Sequence, residues 1–154
     1  ACLVGSEMCI RDRVYTALLR FLPIEMQVTY SVDGTPLDTL PENYCDHYVP
    51  EGFVLDESSE LRDSYQFFRS YHSADDRIYF IDCVTINDSF ISTFDNEHTV
   101  WQETNVNDCP ATLGTTNIQG HVSYVLIWEK DGIYHSILGE LSLTDLYLVA
   151  ESIS

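Results

Sequence analysis

Polar and apolar residues begin to alternate at Met26, where "MQVTYSV" sets Met26, Val28, Tyr30 and Val32 on one side and polar residues on the other. That two-residue period is the mark of a strand with one buried face. "DGTP" breaks it, and Leu37 to Pro50 forms a polar, proline-punctuated connection. In "YVPEGF", residues 48–53, the proline enforces an extended approach and Gly52 lets the chain turn into Phe53. "SYQFFRSY" and "RIYFIDCVTI" are β-branched and aromatic runs on either side of "HSADD", which predicts a hairpin. "FISTF" and "HTVWQETNV" predict two further strands, whereas "GTTNIQG" reads as a loop.

The most informative stretch is "HVSYVLIWEKDGIYHSILGE". Asp131 and Gly132 suit a two-residue turn that needs positive φ at both positions, and such a turn sets the register of the paired strands. Trp128 is then opposite His135 and Leu126 opposite Ile137 on one face, with Val125 opposite Leu138 on the other. Both faces are partly apolar, so this hairpin belongs in the middle of a sheet or beneath a second layer. The chain closes with "SLTDLYLVAESIS". Ser142 is placed to cap the amide of Asp145, and Leu143, Leu146, Tyr147, Ala150 and Ile153 recur at helical spacing. The predicted class is α+β: a curved antiparallel sheet of about six to eight strands with a C-terminal amphipathic helix packed on it.

Two segments fall outside this pattern. "VYTALLRFL", Val14 to Leu22, is apolar but interrupted by Arg20 and far shorter than the roughly twenty residues of a membrane span. It reads as the truncated end of a longer span or as a short docking helix. Residues 2–13, "CLVGSEMCIRDR", follow no structural period. Read back into codons, they resemble the adapter oligonucleotide of transposase-based sequencing libraries. The expected organisation is therefore residues 1–13 as adapter-derived and non-native, 14–25 as a truncated N-terminal segment, and 26–154 as one domain.

Charge narrows the partners. The formal net charge is −18, with Lys130 the only lysine, so phosphate backbones and anionic headgroups are repelled and nucleic acid is not an expected partner. Ten tyrosines and seven phenylalanines make the chain too apolar for an acidic disordered tail. Setting Cys2 and Cys9 aside leaves Cys45, Cys83 and Cys109, an odd set without CxxC spacing that does not make a disulfide framework.

Catalytic patterns are sparse. His47, His72, His98, His121 and His135 form no HxH or HExxH arrangement, and the chain contains no GxSxG, P-loop or GxGxxG. His135 has a structural explanation as the cross-strand neighbour of Trp128. "DNEH", Asp95 to His98, is the one place where acids, an amide and an imidazole adjoin. It reads either as a turn in which Asn96 takes an unusual φ or as a cation or proton-transfer site. No cofactor and no metal ligand set is assigned.

"YVPEGFVL", then "IYFI" ahead of "DNE", then "VLIWEKDGIYHSILGELSLTDLYLVAESI" resemble the bacterial domain of unknown function 4367 family over about Tyr48 to Ile153. The last thirty residues are the most specific part. Ile137 stands at the usual leucine position of the return strand, and Cys109 and Pro110 follow "VND" where glycine is usual. The resemblance implies an extracytoplasmic domain, C-terminal in membrane-anchored proteins that look like anti-sigma-factor regulators. It also suggests kinship with lipoprotein carriers and envelope sensors, whose curved sheets cup an apolar ligand or partner against a helix.

The leading functional expectation is thus a non-enzymatic sensory or binding domain of a bacterial regulator or envelope protein, with its own N-terminal membrane anchor, taking an unknown protein or an apolar ligand. The candidate ligand-binding residues are Trp101, Tyr124, Trp128 and Tyr147. The rival readings are a metal-dependent hydrolase centred on Asp95, Glu97 and His98, and a structural module of a surface protein.

Overall fold

The structure is a computed structural model that describes residues 14–154, together with the backbone of Val4 and Gly5. The adapter-like stretch otherwise lies outside the described residues. Twelve strands and one helix follow in order: β1 (Val4–Gly5), β2 (Val14–Phe21), β3 (Glu25–Asp33), β4 (Phe53–Leu55), β5 (Leu61–Arg62), β6 (Gln66–Ser73), β7 (Ile78–Thr85), β8 (Ile91–Asp95), β9 (Thr99–Val106), β10 (Cys109–Ile118), β11 (His121–Lys130), β12 (Ile133–Gly139) and α1 (Leu143–Ser152). They make three layers. An antiparallel sheet of eight strands, ordered β4-β6-β7-β12-β11-β10-β9 with β5 added on β6, forms the middle. A smaller sheet, β1-β2-β3-β8, covers part of one face. The helix and the connection before β4 cover the other.

The central hairpin forms as its sequence requires. Asp131 and Gly132 take φ of 55° and 82°, and the register pairs Trp128 with His135, Leu126 with Ile137 and Val125 with Leu138. Its two apolar faces supply two cores, because neighbouring side chains on a strand point to opposite sides. Leu126, Trp128, Ile133 and Ile137 join Phe67, Tyr71, Tyr79, Ile81 and Leu113 under the helix. Val125, Ile127 and Tyr134 join Tyr15, Met26, Val28 and Tyr30 under the small sheet. β11 and β12 lie between β10 and β7, so this hairpin is both central and covered twice. Gly132 also permits a close approach: a Cβ there would stand 2.5 Å from the Tyr15 hydroxyl.

On the helix side, Ser142 Oγ accepts from the Asp145 N–H at 3.0 Å and donates to the Asp145 carboxylate at 2.6 Å, closing the first turn. The buried stripe is Leu146, Val149, Ala150 and Ile153. Leu143 is 43 % exposed and Tyr147 half-buried, so the inward face is rotated from the predicted one toward Val149. The connection before β4 is pinned across the helix end. Cys45 and Ser154 exchange backbone hydrogen bonds at 3.1 Å, and the N–H groups of His47 and Tyr48 both donate to Ser152 Oγ. Beneath it, the fully buried Asp46 carboxylate accepts from Arg69 at 2.8 Å and from the Tyr71 hydroxyl at 2.6 Å. A buried charge persists only with such partners.

Two sequence expectations are corrected. Val14–Phe21 is neither a helix nor the end of a span but strand β2, paired with β3 throughout its length. Its inward set, Tyr15, Ala17, Leu19 and Phe21, recurs every second residue, and the second apolar face of the central hairpin is what that set covers. Residues 109–118, including most of the supposed "GTTNIQG" loop, form β10, because Asn107 and Asp108 adopt positive φ and make a tight turn straight out of β9. The turn proper comes later, at Gln119 and Gly120. The predicted α+β class, an antiparallel sheet of six to eight strands with a C-terminal helix, is what the large sheet and α1 form, and β8 pairing with β3 adds a second, smaller sheet. No helix among the described residues is long and apolar enough to cross a membrane.

Candidate functional site

An apolar opening lies between the two sheets and not between sheet and helix. Residues of β2 and β3 face residues of β9, β10 and β11 across a cleft of about 350 Å³. Its roof is Tyr15, Ala17, Leu19 and Phe21 of β2 with Val28 and Tyr30 of β3, and its floor includes Trp101, Pro110, Thr112 and Ile127. The floor residues share one face because β9, β10 and β11 are in strict register, Glu103 beside Thr112 and Thr112 beside Ile127. The volume is at the lower end of the range for small-molecule sites, and the mostly apolar lining is typical of them.

Trp101 closes one end of the cleft. Its ring meets Phe21 and Phe94 edge-on at centroid separations of 6.3 and 6.1 Å, and its indole N–H donates to Asn96 Oδ1 at 2.9 Å. Gly114 makes room for it: a Cβ at that position would lie 2.7 Å from the Trp101 ring and 2.6 Å from Val125. Among the described residues, Glu103 and Glu129 are the charged side chains that line the cleft. Burial pushes the Glu129 carboxyl above the usual range, while the Gly132 N–H, donating to it at 2.7 Å, opposes the shift. Burial likewise raises the pKa of the Tyr30 hydroxyl, which lines the cleft.

The four aromatic residues singled out in the sequence do not converge. Trp101 lines the cleft with its ring. Trp128 also borders the cleft from β11, yet it is 3 % exposed and stacked on His135 at 4.6 Å, its side chain in the core under the helix. Tyr124 and Tyr147 pack against that same core, and the Tyr147 hydroxyl bonds Thr104. The space expected between sheet and helix is filled by these rings together with Leu40 and Tyr44 from the connection. Sequence reasoning missed the roof residues Tyr15, Ala17, Leu19 and Phe21, although their alternation was there to be read.

The "DNEH" segment is an exposed turn joining β8 to β9. Asp95 accepts from the Glu97 amide and pairs with His98 Nδ1 at 3.1 Å. Asn96 does not take the unusual φ expected of it. It works through its amide side chain, which donates to the Leu22 carbonyl and accepts from Trp101, so the turn locks the two sheets together at the end of the cleft. Among the described residues no three His, Cys, Asp or Glu side chains group as a metal site. Cys45, Cys83 and Cys109 are free thiols, and burial raises the pKa of Cys83 strongly.

The layers and the cleft together define a three-layer α+β domain with an open pocket between its sheets. A profile of the family described as "Domain of unknown function (DUF4367)" matches residues 43–153, and the chain belongs to that family. No curated protein and no solved structure matches it. The matched region contains the large sheet, β8 and the helix, whereas the cleft roof from β2 and β3 precedes it.

Proposed function

We propose that this chain is a non-enzymatic binding domain, the extracytoplasmic sensory part of a membrane-anchored bacterial regulator or envelope protein, and that its ligand sits in the intersheet cleft. The observation that carries this reading is the cleft itself, an open cavity walled by four aromatic rings and several aliphatic side chains. Apolar surface left open to water in this way favours an occupant that covers it. The kinship implied by the family resemblance, with carriers that cup apolar ligands, supports the same conclusion.

Titration with an apolar fluorescent probe tests it. Trp101 and Trp128 are the only tryptophans, and both border the cleft. Saturable energy transfer from them to the probe is expected, and Thr112→Phe, which fills the floor without adding a donor, abolishes it while the far-UV circular dichroism stays unchanged. Absence of saturable binding to the wild type would refute the reading. Fractionation of cells expressing the intact gene tests the location separately.

A further inference from the structure

The face of the large sheet that receives the small sheet is covered only in part. On β6, β7 and β12, Phe67, Tyr71, Tyr79, Ile81 and Ile137 are buried under the helix, and the residues between them point the other way. There the small sheet covers Val125, Ile127 and Tyr134. Its cover ends between Val125, 4 % exposed, and the cross-strand partner Leu138, 42 % exposed. Past this rim the register sets Leu138 beside Phe80, Ile78 and Val54 on either side of His72, and Leu61 beside Phe68. Phe68 and Phe80 stack on each other, centroids 6.0 Å apart. The solvated face of an antiparallel sheet is ordinarily polar, and this one is apolar. The small sheet reaches β12 through β8, where Ser92 Oγ accepts from the Tyr134 hydroxyl, so β1 lies at its opposite edge, away from this patch.

Size and charge say what fits it. Val54, Leu61, Ile78, Phe80 and Leu138 are each 37–60 % exposed, and with the half-buried Phe68 they present about 500 Å² of apolar surface. At the roughly 65 % apolar share of homodimer interfaces, this corresponds to a footprint of about 800 Å² per copy, the standard size of a stable pair. In a chain with 25 acids, the positions of β6, β7 and β12 on this face hold, among the described residues, a single one, Asp82, which accepts from Gln66 at 2.8 Å. Depletion of charge marks the centre of an interface and leaves a basic partner little to pair with. The face is also self-complementary. With a two-fold axis crossing the strands at the Ser70–Phe80 pair, His72 of each copy comes to the Phe68 and Asp82 end of the other, so the one imidazole and the one acid of the patch meet.

From this we infer that two copies of the chain form a two-fold dimer by packing these faces of β6 and β7 together, sheet on sheet at about 10 Å. Burial of apolar surface drives the association, and the net charge of −18 on each copy opposes it.

Sedimentation equilibrium of the full chain under reducing conditions tests the inference. The mass is expected to rise from 17.6 kDa toward twice that value between about 2 and 200 μM. Raising sodium chloride from about 20 to 300 mM tightens the dimer by screening the repulsion. Phe80→Asp and Leu138→Asp each weaken it at least tenfold, whereas Val100→Asp, at a residue 73 % exposed on β9, changes it less than twofold. Thermal unfolding verifies that each variant is folded, and Val54→Asp, at an edge position 60 % exposed, replaces either one that is not. A mass that stays at 17.6 kDa up to about 200 μM overturns the inference. So does a dimer that loosens in salt, or one that Val100→Asp or Thr112→Phe disrupts as strongly as Phe80→Asp, since charge pairs, another surface or the cleft would then hold it.

Discussion

Replacing His135 with glutamine isolates the cost of holding an imidazole dry. The ring is 1 % exposed, lies flat on Trp128 and sits 2.6 Å from the Tyr44 hydroxyl through Nε2, while Nδ1 is buried without a partner. Burial lowers its pKa from 6.5 to about 3. Between those values the unfolded chain binds a proton that the native protein does not. Stability therefore rises with pH across this window and is lost as pH falls from about 6.5 toward 3. At pH 5 the loss from this one group is about 2 kcal/mol relative to pH 8, or a fall in Tm of roughly 4–8 °C for a domain of this size. Glutamine keeps a hydrogen-bonding group for Tyr44 and does not titrate. Asp82 and Glu129, whose carboxyls burial shifts upward, act in the opposite sense at lower pH. They are common to both proteins and cancel in the comparison. Urea unfolding of wild type and His135→Gln at pH 8 and pH 5 measures the difference, and the wild type is expected to lose about 2 kcal/mol more. Parallel pH profiles for the two proteins would show that His135 is solvated or charged in the fold, and the reasoning would fail.

Three further outcomes are expected. Asp46→Ala leaves the buried Tyr71 hydroxyl unpaired and Arg69 with Glu60 alone, costing about 1–3 kcal/mol in chemical denaturation, whereas no measurable cost would mean that the Arg69–Asp46 pair does not hold the connection. Gly114→Val drives side-chain atoms into the Trp101 ring and Val125, destabilising by about 1–3 kcal/mol and shifting the Trp101 emission to the red as the ring moves into the cleft; an unchanged spectrum contradicts the seating described. Ser142→Ala removes the cap of α1 at a cost of about 1 kcal/mol, and thermal unfolding that does not respond would show the helix start to be held by packing alone.

Much of this architecture could be read from residues alone, and the parts that could share one property. The Asp131–Gly132 hairpin, the Ser142 cap and the alternation from Met26 onward are local: turn chemistry and periodicity specify them within a few residues. The register of β11 against β12 followed from the turn, and the two apolar faces of that hairpin already demanded two covering layers. What covered them was not local. Val14–Phe21 is short enough to serve as helix or strand, and it is a strand because the open face of β11 and the edge of β3 lie in reach to pair and bury it. Likewise β10 carries threonines, an asparagine and a glycine with little burial signal of their own, and neighbours on both sides recruit it. The cleft is the least local feature of all. Gly114 gives Trp101 a seat in it, and its members come from five strands of two sheets. Aromatic content pointed to Trp101, but the division of Trp101 from Trp128, Tyr124 and Tyr147 depended on which face of which strand each one occupied, a parity set by long-range pairing and not by composition.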